Sequence, residues 1–314
     1  MSEKMSLSEA VRKFVHDGDH ISLGGFTVNR NPMALAYEMI RQAKKNLHLY
    51  VHFQGQALDL LIGAGCVKAV ELAYGANGRY ATTCVRFRKA VEAGKIKFED
   101  YTNYQMSLRF MAGAMGLPYL PTRSGLGTDI ISKWGMDEDY RRSDLKISPK
   151  KLITQEDPFG KEKLVLVPAI NPDVTFIHVQ LVDKEGTARI RGLDFTDSYQ
   201  AKASKRLIVS CEEVCDSLRG DPDMNQIPFY LTDAVVKCSY GSHPTACYGC
   251  YDYDSQHLIK YRELARDDDN FKNYLEEYVL TVESHEEYLN RVGTQRLREI
   301  KADECGYKKG LRRG

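Results

Sequence analysis

No apolar run in the 314 residues approaches the length of about 18 that a membrane-spanning helix needs, so no membrane contact is expected. An excess of one charge is missing too. The chain balances 44 Lys and Arg against 43 Asp and Glu, and such a balance offers nucleic acid no electrostatic handle. The N-terminal stretch MSEKMSLSEAVRKFVHDGD is polar and mixed in charge, unlike a secretory signal, and the cytoplasm is the expected compartment. No Ser/Gly/Pro-rich linker and no internal repeat interrupts the chain. One domain over residues 1–314 is therefore expected.

A disulfide or metal framework is likewise lacking. The eight cysteines (Cys66, Cys84, Cys211, Cys215, Cys238, Cys247, Cys250 and Cys305) are scattered through a large chain. A small stapled domain would cluster them. Cys247 and Cys250 form a C-x-x-C pair, but zinc would want a second pair or spaced histidines, and only His243 is near. Small buried hydrophobes are the expected reading, and no metal is assigned. A dinucleotide fingerprint is incomplete as well: Arg123-Ser124-Gly125-Leu126-Gly127-Thr128 has G-x-G without the third glycine or the acidic partner.

What is present is alternation. HISLGG, NLHLYVHF, VKAVELAYG and KIKFEDY read as strands, and NPMALAYEMIRQAKK, ALDLLIGAG, RYATTCVRFRKAVEAG and YQMSLRFMAGAMG as the helices between and after them. Such alternation predicts an α/β fold with a doubly wound, mainly parallel sheet and flanking helices. An irregular excursion is expected around 122–162, a flap or partly helical segment near the active face. The core resumes at KLVLVPAI and VTFIHVQLVD, a hairpin follows at Asp183–Gly186, and amphipathic helices are expected from about 255.

The densest signal lies between Asp17 and Pro32, DGDHISLGGFTVNRNP, where an apolar run breaks at Gly24-Gly25-Phe26 before a helix opened by Pro32. Paired glycines let a main chain approach a ligand where a Cβ would collide. The loops at Tyr74–Arg79 and Arg123–Thr128 also follow strands, where ligands of such sheets bind.

Asp17-Gly18, Gly24-Gly25-Phe26 and a proline six residues on at Pro32 resemble the signature of family I coenzyme A transferases. Ser22 and Arg30 depart from it, and the continuation TVNRNPMALAYEMIRQ is more similar to the glutaconate CoA-transferase α-subunit branch. FRKAVEAGKIKFEDY, GLPYLP, IVSCEEV, HPTACYGCYDYD and VESHEEYLNRVG extend that resemblance in order along the chain. It implies the fold shared with ribose-5-phosphate isomerases and an α/β heteromer. The Arg123–Thr128 loop looks more like that of related steroid-ring CoA-ester hydrolases. Those carry a functional glutamate where this chain reads Thr102-Asn103-Tyr104-Gln105.

The resemblance further implies that the nucleophilic glutamate belongs to a β-subunit, since no Glu-Asn-Gly-like motif occurs here, and that acyl-CoA and a carboxylate are substrates. Coenzyme A is then a substrate, and no resident cofactor is expected. On that reading Gly24, Gly25 and Phe26 turn backbone N–H groups toward the oxyanion. Arg30 and Arg123 clamp a substrate carboxylate and Ser124 donates to it. His243 is expected to be structural. The alternatives are the α-subunit of a CoA-ester hydrolase acting on ring-degradation intermediates, and a non-catalytic binding protein of the same fold.

Overall fold

The computed structural model describes residues 2–220, 225–304 and 306–311. The strands are β1 (Glu3–Lys4), β2 (His20–Leu23), β3 (Leu47–Gln54), β4 (Val67–Gly75), β5 (Lys97–Asp100), β6 (Tyr119–Thr122), β7 (Ile153–Glu156), β8 (Lys163–Pro168), β9 (Val174–Asp183), β10 (Ala188–Arg189), β11 (Leu207–Cys215), β12 (Gln226–Ile227) and β13 (Ala234–Lys237). The helices are α1 (Leu7–Phe14), α2 (Met33–Arg41), α3 (Gln56–Gly63), α4 (Val85–Glu92), α5 (Asn103–Ala114), α6 (Asp129–Ser132), α7 (Glu138–Ser143), α8 (Asp197–Ala203), α9 (Ser255–Leu264), α10 (Asp268–Leu275), α11 (His285–Val292) and α12 (Thr294–Ile300).

The main sheet runs β1-β13-β11-β9-β2-β3-β4-β5 and is parallel along that path; β10 and β12 add an antiparallel fringe. Its central strands are buried on both faces, and the polar residues that alternate with apolar ones in β2 and β9 are hydrogen-bonded inside, as His20 to Tyr50, Ser22 to Gln200 and His178 to Ser210. Ile21, Leu23, Leu49 and Val51 pack with α1 to α4 and the C-terminal helices on one face. Tyr50, Met106, Phe110, Val165 and Val167 pack on the other, with α5. Helix starts follow local chemistry: Ser6 with Glu9, and Thr102 with Gln105, form capping boxes for α1 and α5.

The strand order has one consequence for function. From β2 the chain steps outward through β3, β4 and β5, then returns at β9 and steps the other way through β11 and β13. The reversal falls between β2 and β9, and ligands of open α/β sheets bind outside the carboxyl ends of the strands at that point. Leu23 ends β2 there, and Gly24-Gly25-Phe26 is the loop that follows.

Two expectations are corrected. RYATTCVRFRKAVEAG is helical only at Val85–Glu92, preceded by a 3-10 turn at Gly78–Tyr80. Cys84 N–H returns to Gly75 O at 3.0 Å and the Tyr74 hydroxyl bonds Thr82 O, pinning the segment across the end of β4. Of the two readings of the 122–162 excursion, the partly helical one holds and the flap at the carboxyl edge does not. The segment carries α6, α7 and β7, and β7 joins β6 and β8 in an antiparallel sheet. It begins beside Thr102, but its Asp144 bonds the ring of His20, the first residue of β2, at 2.9 Å. The excursion thus straps the sheet from its carboxyl end to its amino end. Buried Glu99 fastens it, meeting Arg141 at 2.6 Å and Lys151 at 2.9 Å and accepting from Gly135 and Met136 N–H.

Candidate functional site

The Gly-Gly-Phe loop is tied inward. Gly24 N–H donates to Phe176 O at 2.8 Å, Gly25 N–H to Asp197 Oδ1 at 2.9 Å, and Phe26 N–H to Asn29 O at 2.8 Å. The expectation that these three groups await an oxyanion is corrected, because each is already satisfied within the chain. The glycines act through space instead. Gly25 has φ +82°, and a Cβ there would stand 2.5 Å from the carbonyl oxygens of Arg30 and Asn29. At Gly24 a Cβ would meet Ile177 at 3.0 Å and the Asp197 carboxyl group at 3.3 Å.

Arg30 is corrected as well. It is buried, with Nη1 at 2.6 Å from Asp197 Oδ2 and Nη2 at 2.8 Å from Leu193 O, so its charge is spent inside the protein. Arg123 lies at the surface, 72% exposed, against Glu162. Ser124 Oγ bonds Thr102 Oγ1 at 2.8 Å, and its carbonyl accepts from the Gln105 amide. The Arg123–Ser124 pair therefore belongs to the joint between the strap and α5, and the structure does not bring it to the Gly-Gly loop. His243 is structural: buried, with its ring nitrogens on Tyr288 at 2.6 Å and Asp254 at 3.1 Å.

The loops after β2, β3 and β4 interlock into a ledge. Thr27 N–H reaches Phe53 O at 3.0 Å, Ala76 N–H reaches Gln54 O at 3.0 Å, and the Gln54 amide donates to Gly24 O at 2.7 Å. Along the ledge runs a row of rings. Phe195 stacks on Phe26 at 4.5 Å, Phe26 meets Phe53 edge-on at 4.5 Å, and Phe53 meets Tyr74 at 4.7 Å. His52 sits beside Phe26 at 5.6 Å, and burial pushes its pKa down, which favours the neutral imidazole.

At the Phe195 end of the row opens a cavity of about 380 Å³, lined by Asn29, Arg30, Arg191, Phe195, Tyr248 and Tyr307 among others. Among the described residues, Arg191 has no carboxylate partner and no carboxylate lines the cavity. Beside it, burial and the neighbouring Asp197 charge raise the pKa of Asp194. Tyr251 is core, donating to Glu212 at 2.8 Å, whereas Tyr248 reaches the cavity wall.

Of the cysteines, Cys247 is buried and Cys250 half-buried, both as free thiols; Cys305 lies outside the described residues. Cys247 stands close to His178 and Glu212. The His178 ring already bonds Ser210 at 2.9 Å and Glu212 at 2.7 Å, so its nitrogens serve the fold.

The sequence alone does not single out Asp197, Gln54, His52 or Arg191. Asp197 lies in a stretch readable only as a helix, FTDSYQAKASK. Nothing local in VHFQG or RIRG sets the others apart from ordinary strand and turn residues.

A doubly wound α/β sheet with a glycine ledge, an aromatic row and a cavity at its switch point has the layout in which open α/β sheets take ligands. The chain belongs to the coenzyme A transferase family, whose model matches residues 4–238. It is 40% identical to a glutaconate CoA-transferase subunit of Acidaminococcus fermentans over 304 residues, 96% of this chain and 95% of that one. It is 33% identical to a 3-oxoadipate CoA-transferase subunit of Pseudomonas knackmussii, over 93% of this chain and 99% of the relative. The crystal structure of the Acidaminococcus fermentans glutaconate CoA-transferase superposes with a TM-score of 0.94, covering 98% of both chains.

Proposed function

We propose that the chain is the α-subunit of a heteromeric acyl-CoA:carboxylate CoA-transferase of the glutaconate CoA-transferase type. It supplies the ledge, the aromatic row and the cavity, and a β-subunit supplies the glutamate nucleophile. The observation that carries this reading is the cavity at the switch point. Arginines and aromatic faces line it, and no carboxylate does among the described lining residues. Transfer between carboxylates runs through an acylated carboxylate and then its thioester with CoA, and that carboxylate must come from outside this lining. Once a second chain covers the ledge, the rings and the cavity wall would keep water from those intermediates.

The hydrolase alternative draws on the likeness of the Arg123–Thr128 loop, and the segment Thr102–Gln105, where the related hydrolases carry a functional glutamate, tells against it. Here Gln105 caps α5 and reaches Ser124 O at 2.9 Å, a positioning role without acid chemistry.

The test is co-expression with a β-chain sought in the neighbouring reading frame, followed by an acyl-CoA screen against acetate. The isolated chain is expected to be inert and the co-eluting pair to transfer CoA. Robust turnover by the chain alone sinks the two-subunit reading. Release of free CoA that does not depend on acetate replaces transfer with hydrolysis.

A further inference from the structure

The loop Tyr74–Arg79 follows β4, and beyond it the chain builds a second cavity, of about 240 Å³. Arg79, Arg88, Arg262 and Arg266 converge on it, with Thr82 and Thr83. These arginines come from separate parts of the chain: the 3-10 turn, α4, and the end of α9 with the residues just after it. Two of them are arranged around Tyr80. Arg262 Nη1 donates to Tyr80 O at 3.2 Å, and the Arg79 guanidinium lies 5.4 Å from the Tyr80 ring centroid. Glu263 accepts from Arg262 at 2.6 Å and from Arg266 at 2.8 Å. Glu92 approaches Arg88 only to 3.9 Å, too far for a hydrogen bond. A guanidinium carries five N–H donors, more than these contacts use on Arg88 or Arg266.

Like charges gathered in a concave site, with hydroxyl groups beside them, suit an anion with several acceptor oxygens. The cavity also has a direction. Tyr74 ends the row of rings that starts at Phe195, and its hydroxyl bonds the carbonyl of Thr82, a lining residue. The row therefore joins the Gly-Gly ledge at one end to the arginines at the other.

We propose that the Arg79, Arg88, Arg262 and Arg266 cavity is a phosphate site that takes the ribose-phosphate and diphosphate end of coenzyme A, with the pantetheine arm lying along the ring row. The choice of coenzyme A rests on the transferase reading; the phosphate chemistry rests on the cavity alone.

Calorimetric titration of the assembled protein, and of the chain alone, with CoA, pantetheine and inorganic phosphate tests it. Each ligand is titrated into wild type, Arg88→Gln and Arg266→Gln; both arginines are exposed, so folding should survive. CoA affinity is expected to fall about tenfold or more in each variant, with pantetheine unchanged. Phosphate binding that the variants abolish while CoA binding is unaffected keeps the phosphate site and overturns coenzyme A as its source. Unchanged affinity for both CoA and phosphate overturns the site. Equal losses for CoA and pantetheine overturn it in favour of a structural role. Failure of the two chains to associate, with CoA affinity intact, does so in favour of an acidic partner surface. Binding is read without turnover, so a chain that binds CoA through these arginines yet transfers nothing refutes the transferase reading and leaves the site standing.

Discussion

Asp197 holds two groups that a loop of this kind would otherwise leave loose. One carboxylate oxygen takes the Gly25 N–H and the other the Arg30 guanidinium. Breaking a buried pair leaves an uncompensated charge, so Asp197→Ala should cost about 3–5 kcal/mol. Arg123→Ala, at an exposed pair, should change stability by about 0.5 kcal/mol or less. Urea midpoints of the two variants check the contrast, and equal shifts would count against it. For the same reason Arg30→Met should lower kcat/KM for glutaryl-CoA and butyryl-CoA alike, since its charge serves the loop; a loss confined to the dicarboxylate ester would restore Arg30 as a substrate clamp. Gly25→Val sets a side chain against two carbonyl oxygens at a positive φ. The displaced ledge should cost turnover about a hundredfold in a complex that still assembles. Normal turnover there would place the site elsewhere.

At the scale of elements, the strap over residues 122–162 buries Met136, Ile147 and Leu152 and is also fastened by the acceptors of one side chain. Glu99 leaves the sheet in β5 and gathers Arg141, Lys151 and two backbone N–H groups of the excursion. Its removal leaves two buried cations without that partner. Glu99→Ala is therefore expected to open the strap and not to melt the sheet, because β5 lies at the sheet edge. Limited proteolysis reads this directly: new cleavage within 123–162 should precede global digestion. A cleavage pattern like wild type would mean that the antiparallel sheet β6-β8-β7 suffices to hold it.

For the whole molecule, buried histidines set the response to acid. Burial, reinforced by the neighbouring His48, lowers His20 from 6.5 to about 4; burial, reinforced by His243, lowers His257 to about 3. The unfolded chain takes up these protons first, so the stability they contribute is complete above pH 6.5 and is lost as pH falls toward 4. Asp59 opposes them, since burial raises it from 3.8 to about 6 and its contribution is lost as pH rises through that range. Burial also lowers His285 to about 4, so three such histidines stand against one aspartic acid and acidification brings a net loss of stability. Urea midpoints should drop between pH 6.5 and 4, and His257→Gln should flatten the drop; a midpoint that holds or rises would refute it.

Period and punctuation make the architecture legible in the sequence. Alternating strand and helix patterns pointed to the doubly wound sheet, and the break at Gly24-Gly25 marked the end of the strand at the switch point. Backbone preference and face-by-face burial are local properties, and a sequence displays them directly. What the side chains at the site do was decided only by tertiary structure. Arg30 finds Asp197 at a separation of 167 residues, and Arg262 reaches Tyr80 across 182. An arginine in a loop looks the same in sequence whether a buried carboxylate or a ligand will take its charge. Only packing of the sheet's two halves against each other settles which acceptor lies within reach.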